Sequence, residues 1–405
     1  MTESPRTIAV FTGNRAEYGL QLPILRAIDA HPDLTYRLIV SGAHLDGNFG
    51  RTIAEIESDG FEIAAEVDIT MAEDSLVATT QAISSGILST SKVLQEIQPD
   101  IFVVYADRFE GFAAVIAGTQ MRIPTAHIEG GDITEGGALD DSVRHAMTKL
   151  AHLHFTTNAD AAWRIRQMGE EPWRVHNVGF PAIDLIAGGN YEAPDKIVSR
   201  LGLDPAKPVL VITQHSVATQ FEIAAEQIQP LLDAMEKLAS EGCQIVLTYP
   251  NNDAGGRRII ATLDAFATRD LAGVQLHKSL GRAAYHGLLA FCGSDAGRGV
   301  CIGNSSSGIK ETPAFACPAI DVGTRQDGRL RGDNVIQVGY DRDDIVVATR
   351  RALSDEFRQL CRDAENPYGE GGAGRKVADI LASVPLDEKL IIKKMTIKSK
   401  DSPVD

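Results

Sequence analysis

Short apolar runs alternate along this chain with glycine-rich or charged turns and with longer stretches whose apolar residues recur at helical spacing. In the first half, these runs predict strands at 7–11, 36–40, 62–68, 101–105, 152–157 and 173–184. A further buried strand is predicted directly before Glu129. Helical spacing predicts helices at 52–59, 75–97 and 141–150. The first half therefore alternates strand and helix.

The second half repeats this alternation. Its predicted strands lie at 208–213, 244–249, 274–277, 300–302, 318–322 and 335–338. The connecting segments are long enough for helices, so both halves predict parallel sheets. The stretch 188–208 holds glycines, prolines and charged residues, which is typical of a connection between domains. The predicted fold class is α/β, with two doubly wound Rossmann-like domains at 1–187 and 188–369.

The stretch 123–145 gathers acidic residues around glycines, directly after a predicted strand. Its five carboxylates are Glu129, Asp132, Glu135, Asp140 and Asp141. Open α/β sheets bind ligands at the loops that follow their strands. Clustered carboxylates suit proton transfer, because burial and mutual repulsion tune their ionisation. Taken singly, each could equally be a polar loop residue, and Asp140 or Asp141 could cap the following helix.

Three other strand ends of the first half carry candidate ligand-binding side chains. Asp107 and Arg108 follow the apolar run 101–105, where Asp107 could also be a helix cap. Arg15 follows the first strand, and its alternative role is a surface ion pair with Glu17. His44 follows the second strand, where a lone histidine is more often a structural hydrogen-bonding residue.

Strand ends of the second half carry polar groups of a different kind. They are His215, Asn251, Ser305, Ser306, Ser307, Gly308, Glu311 and Arg325. Backbone N–H groups and serine hydroxyls at a helix N-terminus suit a phosphate or diphosphate. A single serine would suffice as a cap, and three in a row favour phosphate binding. An arginine on the next loop could pair with the same phosphate.

Composition narrows the class of protein. The chain has 405 residues, of which 44% are hydrophobic and 23% charged, as in a soluble globular protein of two domains. No apolar run approaches the roughly 20 residues of a membrane span, and the N-terminus lacks a secretory pattern. Five cysteines without CxxC spacing indicate reduced thiols and a cytoplasmic protein. The net charge of −16 argues against nucleic acid as a partner.

The C-terminal region adds one helix and a basic tail. The stretch 368–376 is similar to a nucleotide phosphate loop, but Arg375 and Lys376 occupy the positions of its lysine and its serine or threonine. It is therefore interpreted as a turn before a final helix at 375–382. The basic residues from Lys389 onward predict a frayed terminus.

Eight segments together resemble the hydrolysing UDP-N-acetylglucosamine 2-epimerases, a family that includes the bacterial enzymes of sialic-acid pathways and a mammalian bifunctional relative. The segments are TGNRAEYG, SGAHLDGNFG, ADRFE, AHIEGGDITEGGALDDSVRHAMTKL, NVGFPAID, TYPNNDAGG, GNSSSGIKE and GTRQDGR. Each motif is weak alone, but the eight occur in the family's order between about residues 8 and 376.

The resemblance implies a glycosyltransferase-B-like fold, in which two doubly wound domains face a central cleft and a helix at about 370–385 packs back on the first. It implies that UDP is eliminated across C1–C2 of UDP-N-acetylglucosamine to give 2-acetamidoglucal. Water then adds to give N-acetylmannosamine, and no metal or other cofactor takes part. The family also suggests a homodimer or homotetramer.

The resemblance also assigns residues. Asp107, Glu129 and Asp140 resemble the catalytic carboxylates, with the step of each left open. The residues that line the nucleotide site by resemblance are Arg15, His215, Ser305, Ser306, Glu311 and Arg325. Glu311 would hold ribose hydroxyls rather than phosphate, because like charges repel. His44 would assist at the sugar or diphosphate.

The chain departs from the family's pattern in three places. The segment ITEGGALDD carries one residue more than usual, which leaves Asp141 as an alternative to Asp140. The segment TQHS lacks an expected proline, and 291–299 is longer than usual. Two alternatives stay open for the function. One is the same reaction on UDP-2,4-diacetamido-2,4,6-trideoxyglucose in legionaminic acid synthesis, and the other is a catalytically silent UDP-sugar-binding protein.

Overall fold

A computed structural model describes residues 4–45, 52–69, 76–134, 139–251 and 255–397 of the chain. Two compact units account for them. Unit 1 consists of the described parts of Met1–Asp132, Leu139–Asp184 and Gly371–Asp405, and unit 2 of the described parts of Ile133–Ala138 and Leu185–Glu370. Each unit contains a parallel sheet with helices between its strands, which confirms the α/β fold class.

In unit 1, the strands are β1 (Arg6–Thr12), β2 (Leu34–Ser41), β3 (Ile63–Val67), β4 (Ile101–Tyr105), β5 (Thr125–Ile128), β6 (Leu153–Thr156) and β7 (Val175–Asn177). They form one sheet in the order β3-β2-β1-β4-β5-β6-β7. The helices are α1 (Arg15–Asp29), α2 (Ile53–Ser58), α3 (Leu76–Ile97), α4 (Phe109–Gln120), α5 (Leu139–Leu150) and α6 (Ala159–Gln167), and α7 (Ala182–Ala187) crosses into unit 2.

In unit 2, the strands are β8 (Val209–Thr213), β9 (Gln244–Thr248), β10 (Val274–His277), β11 (Gly299–Gly303), β12 (Ala319–Val322) and β13 (Val335–Val338). Their order is β10-β9-β8-β11-β12-β13. The helices are α8 (Pro194–Arg200), α9 (Ala224–Ser240), α10 (Gly256–Ala267), α11 (Arg282–Gly293), α12 (Ser307–Lys310), α13 (Arg342–Ala352) and α14 (Asp355–Asp363).

Local sequence explains most of these elements. The strand β4 is apolar and buried at all five positions, as expected for a central strand covered on both faces. Asn14 caps α1 because its side-chain oxygen accepts from the Glu17 N–H at 3.0 Å. Asn158 caps α6 in the same way through the Ala161 N–H at 2.8 Å.

After unit 2, the chain returns to unit 1 as α15 (Ala373–Ser383) and α16 (Glu388–Ile391). Asp184 accepts from the first N–H groups of α15, those of Ala373 and Gly374, at 2.9 and 2.8 Å. Arg6 of β1 donates to the backbone oxygens of Leu381 and Val384 at 2.9 and 2.7 Å. The helix α15 packs against α1, and the segment after Glu370 belongs to unit 1.

The prediction of a frayed tail from Lys389 onward is wrong for the described residues. Buried Arg174 donates to the backbone oxygens of Lys389, Leu390 and Ile392 at 2.6, 2.7 and 3.1 Å. Lys393 pairs with Glu170 at 2.8 Å. Lys389 contributes a carbonyl and Lys393 an ion pair with a buried acid, so the lysines of this segment do not by themselves predict an exposed terminus.

The predicted strand at 173–184 is also shorter than expected. Only β7 is extended there, and α7 begins at Ala182. Gly179, with φ of 93°, lies between the two elements. Among the described helices, none combines the length and the apolar character required to cross a membrane.

Candidate active site

The carboxyl ends of β1 and β4 meet where the strand order of the first sheet reverses. Open α/β sheets bind ligands at such points, because the loops that leave the two strands diverge there. Asp107 follows β4, and Glu129 follows the neighbouring β5. Two of the three predicted catalytic carboxylates therefore leave adjacent strands at this edge.

Two residues at this edge have a left-handed backbone conformation. The φ angles are 55° at Ala106 and 63° at Glu129, a conformation that costs non-glycine residues about 1–3 kcal/mol. The Ala106 N–H donates to the Ile128 oxygen at 3.0 Å, and the Glu129 N–H donates to the Phe155 oxygen at 2.9 Å. Neighbouring strands thus hold the backbone that carries the acids.

Arg144 of α5 lies at the centre of the acid cluster, and its side chain is only 4% exposed. One guanidinium nitrogen pairs with Asp107. The other donates to Asp141 at 2.7 Å and to the backbone oxygen of Asp132 at 3.0 Å. A guanidinium shared in this way offsets the charge of both carboxylates and fixes their orientation.

Asp140 and Asp141 both lie in the first turn of α5 but differ in exposure. Asp141 is 7% exposed and bonded to Arg144. Asp140 is exposed to solvent. The structure therefore brings Asp141 together with Asp107 through Arg144. The catalytic role of Asp140 stays a prediction.

Tyr105 and His127 lie in β4 and β5, the strands that lead to Asp107 and Glu129. Burial, followed by the charge of Glu129, raises the pKa of Tyr105 well above its usual value, so its hydroxyl stays protonated. His127 contacts the Ala106 backbone oxygen through Nε2 at 2.6 Å and the Thr148 hydroxyl through Nδ1 at 3.1 Å. Burial lowers the pKa of His127 to about 4, so this histidine is a neutral support for the loop after β4.

A second pair of acids is buried at the same edge. Burial, followed by the charge of Glu110, raises the pKa of Glu17 to about 8. Burial also raises the pKa of Glu110, and the nearby charge of Arg108 opposes this shift. The Arg108 Nε lies 3.6 Å from Glu110, and 49% of the Arg108 side chain is exposed. Arg108, which is predicted to bind substrate, is therefore half-exposed to solvent while its Nε contacts Glu110.

The first-half candidate His44 is completely buried. Its Nε2 lies 3.1 Å from the Thr12 hydroxyl, and its Nδ1 lies 2.8 Å from the Thr52 hydroxyl. Burial lowers its pKa to about 4. These contacts fix the position of the His44 ring, and its assistance at the substrate stays a prediction. The side chain of Arg15, at the start of α1, lies outside the described residues, and so does all of Glu135.

In unit 2, the strand order reverses between β8 and β11. Asn304 follows β11 and is completely buried. Its side-chain oxygen accepts from the His215 N–H at 2.7 Å, and its amide donates to the His215 oxygen at 2.9 Å. Its backbone oxygen accepts from Arg325 at 3.1 Å. Asn304 thus joins the loops that carry His215 and Arg325.

His215 presents a proton donor at this edge. The Asn251 N–H donates to its Nδ1 at 3.0 Å, which leaves the proton of the neutral ring on Nε2. Burial, followed by the charge of Arg325, lowers the pKa of His215 to about 3. A neutral imidazole N–H beside a guanidinium can bind phosphate oxygens without an additional desolvated charge.

The predicted phosphate loop forms a chain of hydroxyl groups. The Ser305 and Ser307 hydroxyls lie 3.0 Å apart, and the Tyr285 hydroxyl lies 2.8 Å from that of Ser307. The Gly308 N–H donates to the Ser305 oxygen at 3.0 Å. Ser306 is half-buried at the start of the helical turn. Glu311 follows this turn, is 9% exposed, and bonds to His286.

Sequence reasoning missed four residues of these two groups: Arg144, Tyr285, His286 and Asn304. Arg144 stands three residues after Asp141, a spacing at which helical charges meet, and this could have indicated the pair. Asn304 lies inside the quoted GNSSSG motif. Within the described ranges, no group of three or more His, Cys, Asp or Glu side chains is placed to hold a metal ion.

Comparison with known proteins gives consistent matches. Residues 26–382 match the family model described as UDP-N-acetylglucosamine 2-epimerase. The chain is 32% identical over 388 residues to the Legionella pneumophila UDP-N,N'-diacetylbacillosamine 2-epimerase (hydrolyzing), covering 96% of this chain and 98% of that protein. It is 31% identical over 353 residues to the Neisseria meningitidis UDP-N-acetylglucosamine 2-epimerase, with 86% and 88% covered.

The fold has a solved counterpart. The crystal structure of UDP-GlcNAc 2-epimerase from Neisseria meningitidis bound to UDP-GlcNAc superimposes with a TM-score of 0.72 at 18% identity. The superposition covers 93% of this chain and 99% of that one. Neighbours of this kind support the glycosyltransferase-B-like fold implied by the sequence motifs.

Proposed function

Since this chain belongs to the UDP-N-acetylglucosamine 2-epimerase family, we propose that it is a hydrolysing 2-epimerase acting on UDP-linked 2-acetamido sugars. One observation carries the proposal. The carboxyl edge of the first sheet holds Glu129 beside a protonated tyrosine, and Asp107 and Asp141 on a shared arginine. Such a set can both remove a proton and return one.

The first step is an elimination. A carboxylate removes the proton from C2 of the sugar, and the electron pair of the C2–H bond forms the C1=C2 double bond. The C1–O bond breaks, and its electrons leave with UDP. A positioned base and stabilisation of the departing oxygen each lower the barrier of such a step. The products are UDP and 2-acetamidoglucal or its substituted counterpart.

The second step adds water across the new double bond. The water oxygen bonds to C1 and gives one proton to a carboxylate, and a carboxylic acid delivers a proton to C2 from the face opposite to that of the original proton. This inverts C2 and gives the free manno sugar. The two faces require two acid–base groups, and Glu129 and Asp107 leave different strands at one sheet edge.

The nucleotide would be held by unit 2. His215 offers an N–H, Arg325 offers a positive charge, and Ser305 and its neighbouring serines offer hydroxyls, which together suit a diphosphate. Glu311 would accept hydrogen bonds from ribose. The departing diphosphate gains negative charge during elimination, so these donors favour the transition state over the intact substrate.

Two sugars are candidate substrates. UDP-N-acetylglucosamine would give N-acetylmannosamine, and the Neisseria relative is named for that nucleotide sugar. UDP-2,4-diacetamido-2,4,6-trideoxyglucose is favoured by the names of the Legionella and Campylobacter relatives, each 32% identical to this chain. The two sugars differ at C4 and C6, and the elimination at C1 and C2 is common to both.

The decisive experiment incubates purified protein with each nucleotide sugar in D₂O and follows UDP and the free sugar by NMR. We expect UDP and a manno-configured sugar with one deuterium at C2, formed faster from the true substrate. UDP release with a protonated C2 would point to a transferase or a simple hydrolase. No turnover of either sugar, with UDP still bound, would indicate a silent binding protein.

A further inference from the structure

Two consecutive residues of α11 contact the loop that follows β11. Tyr285 reaches the hydroxyl of Ser307 at 2.8 Å, as described above. His286 reaches Glu311 on the other side of the same turn, with its Nε2 3.0 Å from the Glu311 Oε2. His286 is 2% exposed and Glu311 is 9% exposed. The hydrogen bond between them is therefore largely shielded from water.

The direction of this hydrogen bond follows from its partners. An ionised carboxylate can only accept, so the His286 Nε2 must donate to Glu311. Among the described residues, no hydrogen-bond partner faces the buried Nδ1 of His286. The hydrogen bond from Nε2 to Glu311 is therefore the one that orients this ring.

The imidazole is fixed by packing as well as by its hydrogen bond. The centroid of the Phe315 ring lies 5.6 Å from that of the His286 ring, and the centroid of the Tyr191 ring lies 5.4 Å from that of the Phe315 ring. The next residue of α11, Gly287, lies so close to the Glu192 backbone oxygen that a side chain would not fit. The ring therefore meets Glu311 from a preset position.

We propose that His286 is a positioning residue of the nucleotide site, which holds one oxygen of Glu311 so that the other accepts hydrogen bonds from the ribose hydroxyls of the bound nucleotide. The inference rests on the proposed function, because it requires a uridine nucleotide in unit 2. A carboxylate fixed before binding loses less conformational freedom when it accepts the ribose. His286 would thus contribute to ribose recognition without contacting the ligand.

The test is isothermal titration calorimetry with UDP, 2′-deoxy-UDP and 3′-deoxy-UDP. Wild-type protein is compared with His286→Leu, which removes the donor, and with His286→Gln, whose side-chain amide can replace it. Tyr285→Phe is the matched control, because it removes a hydroxyl from the serine side of the same helix. Affinity for the deoxy nucleotides also shows that each variant is folded.

We expect wild type to prefer UDP over at least one deoxy nucleotide by about tenfold or more, the range of a hydrogen bond to a charged group. His286→Leu should reduce the preference to roughly twofold and leave the deoxy affinity unchanged. His286→Gln and Tyr285→Phe should keep it. An unchanged preference in His286→Leu, an equal loss in Tyr285→Phe, or no preference in wild type would overturn the inference. Wild type that binds none of the three would overturn the proposed function itself.

Discussion

Replacing Arg144 by methionine tests the acid cluster of unit 1. The substitution keeps an unbranched side chain and removes the charge that Asp107 and Asp141 share. Their side chains are 19% and 10% exposed, so water replaces the lost partner incompletely. The variant must then hold two carboxylates near each other without the cation that they share in the wild type.

Breaking a buried ion pair from one side costs about 3–5 kcal/mol. Because Asp107 is partly exposed, we expect Arg144→Met to lose about 3 kcal/mol of unfolding free energy. For a unit of this size, that loss lowers the melting temperature by about 6–12 °C. The two acids, having lost this guanidinium, acquire raised pKa values in the folded variant. Protonation then favours the folded state at low pH, so the loss should be smaller at pH ~5.5 than at pH ~8.

Intrinsic fluorescence measures this loss in unit 1 alone. The chain contains 2 tryptophans, and both Trp163 and Trp173 belong to unit 1. Arg26→Met is the matched control, because the Arg26 guanidinium lies 3.7 Å from Asp59 with 45% of its side chain exposed. Such a surface pair contributes about 0–1 kcal/mol.

Melting of Arg144→Met within the range of Arg26→Met at both pH values would refute this prediction. A larger loss of stability at pH ~5.5 than at pH ~8 would also refute it. Either result would mean that Arg144 does not offset the charge of the two acids.

Three further outcomes are expected. Glu129→Gln should lower turnover by about 10²-fold or more and keep UDP binding in calorimetry; near-wild-type turnover would remove Glu129 from the mechanism. Burial raises the pKa of Glu17 from 4.5 to about 8, so the contribution of this residue to stability is lost as pH rises between these values. Glu17→Gln should therefore flatten the dependence of melting temperature on pH in that range. An unchanged dependence would contradict the raised pKa. Arg174→Ala should expose the segment after Ser383 to limited proteolysis, which wild type resists; equal cleavage rates would show that Arg174 does not hold it.

The strands could be predicted because a central parallel strand needs apolar residues on both faces. The run 101–105 meets this condition at every position, and β4 occupies that range. The loops that follow such strands are positioned by the sheet itself. Sequence reasoning therefore placed Asp107 and Glu129 at one edge without knowing any side-chain direction.

The orientation of polar side chains was harder to predict, because it depends on partners distant in sequence. His44 follows a strand, as a ligand-binding residue would, yet it lies against Thr12 and Thr52. Asp140 and Asp141 are neighbours in sequence, and only the helix phase set by α5 directs one of them to Arg144.

The contact between His286 and Glu311 in unit 2 could not be predicted from the local sequence, for a similar reason. His286 lies in a helix whose surrounding residues are mostly buried and apolar, where a histidine is easily interpreted as part of the core. Its partner Glu311 is 25 residues later. Only the parallel pairing of β8 with β11, and the turn after β11, bring that carboxylate over α11.

The bond between Asp184 and the start of α15 has a consequence for synthesis. Residues 185–370 leave the ribosome before α15 does, so unit 2 can be complete while unit 1 still lacks a helix. Arg6 and Arg174 are both synthesised before the residues whose carbonyls they bind, Leu381 and Leu390. The unit whose synthesis begins first is therefore the one that finishes folding last.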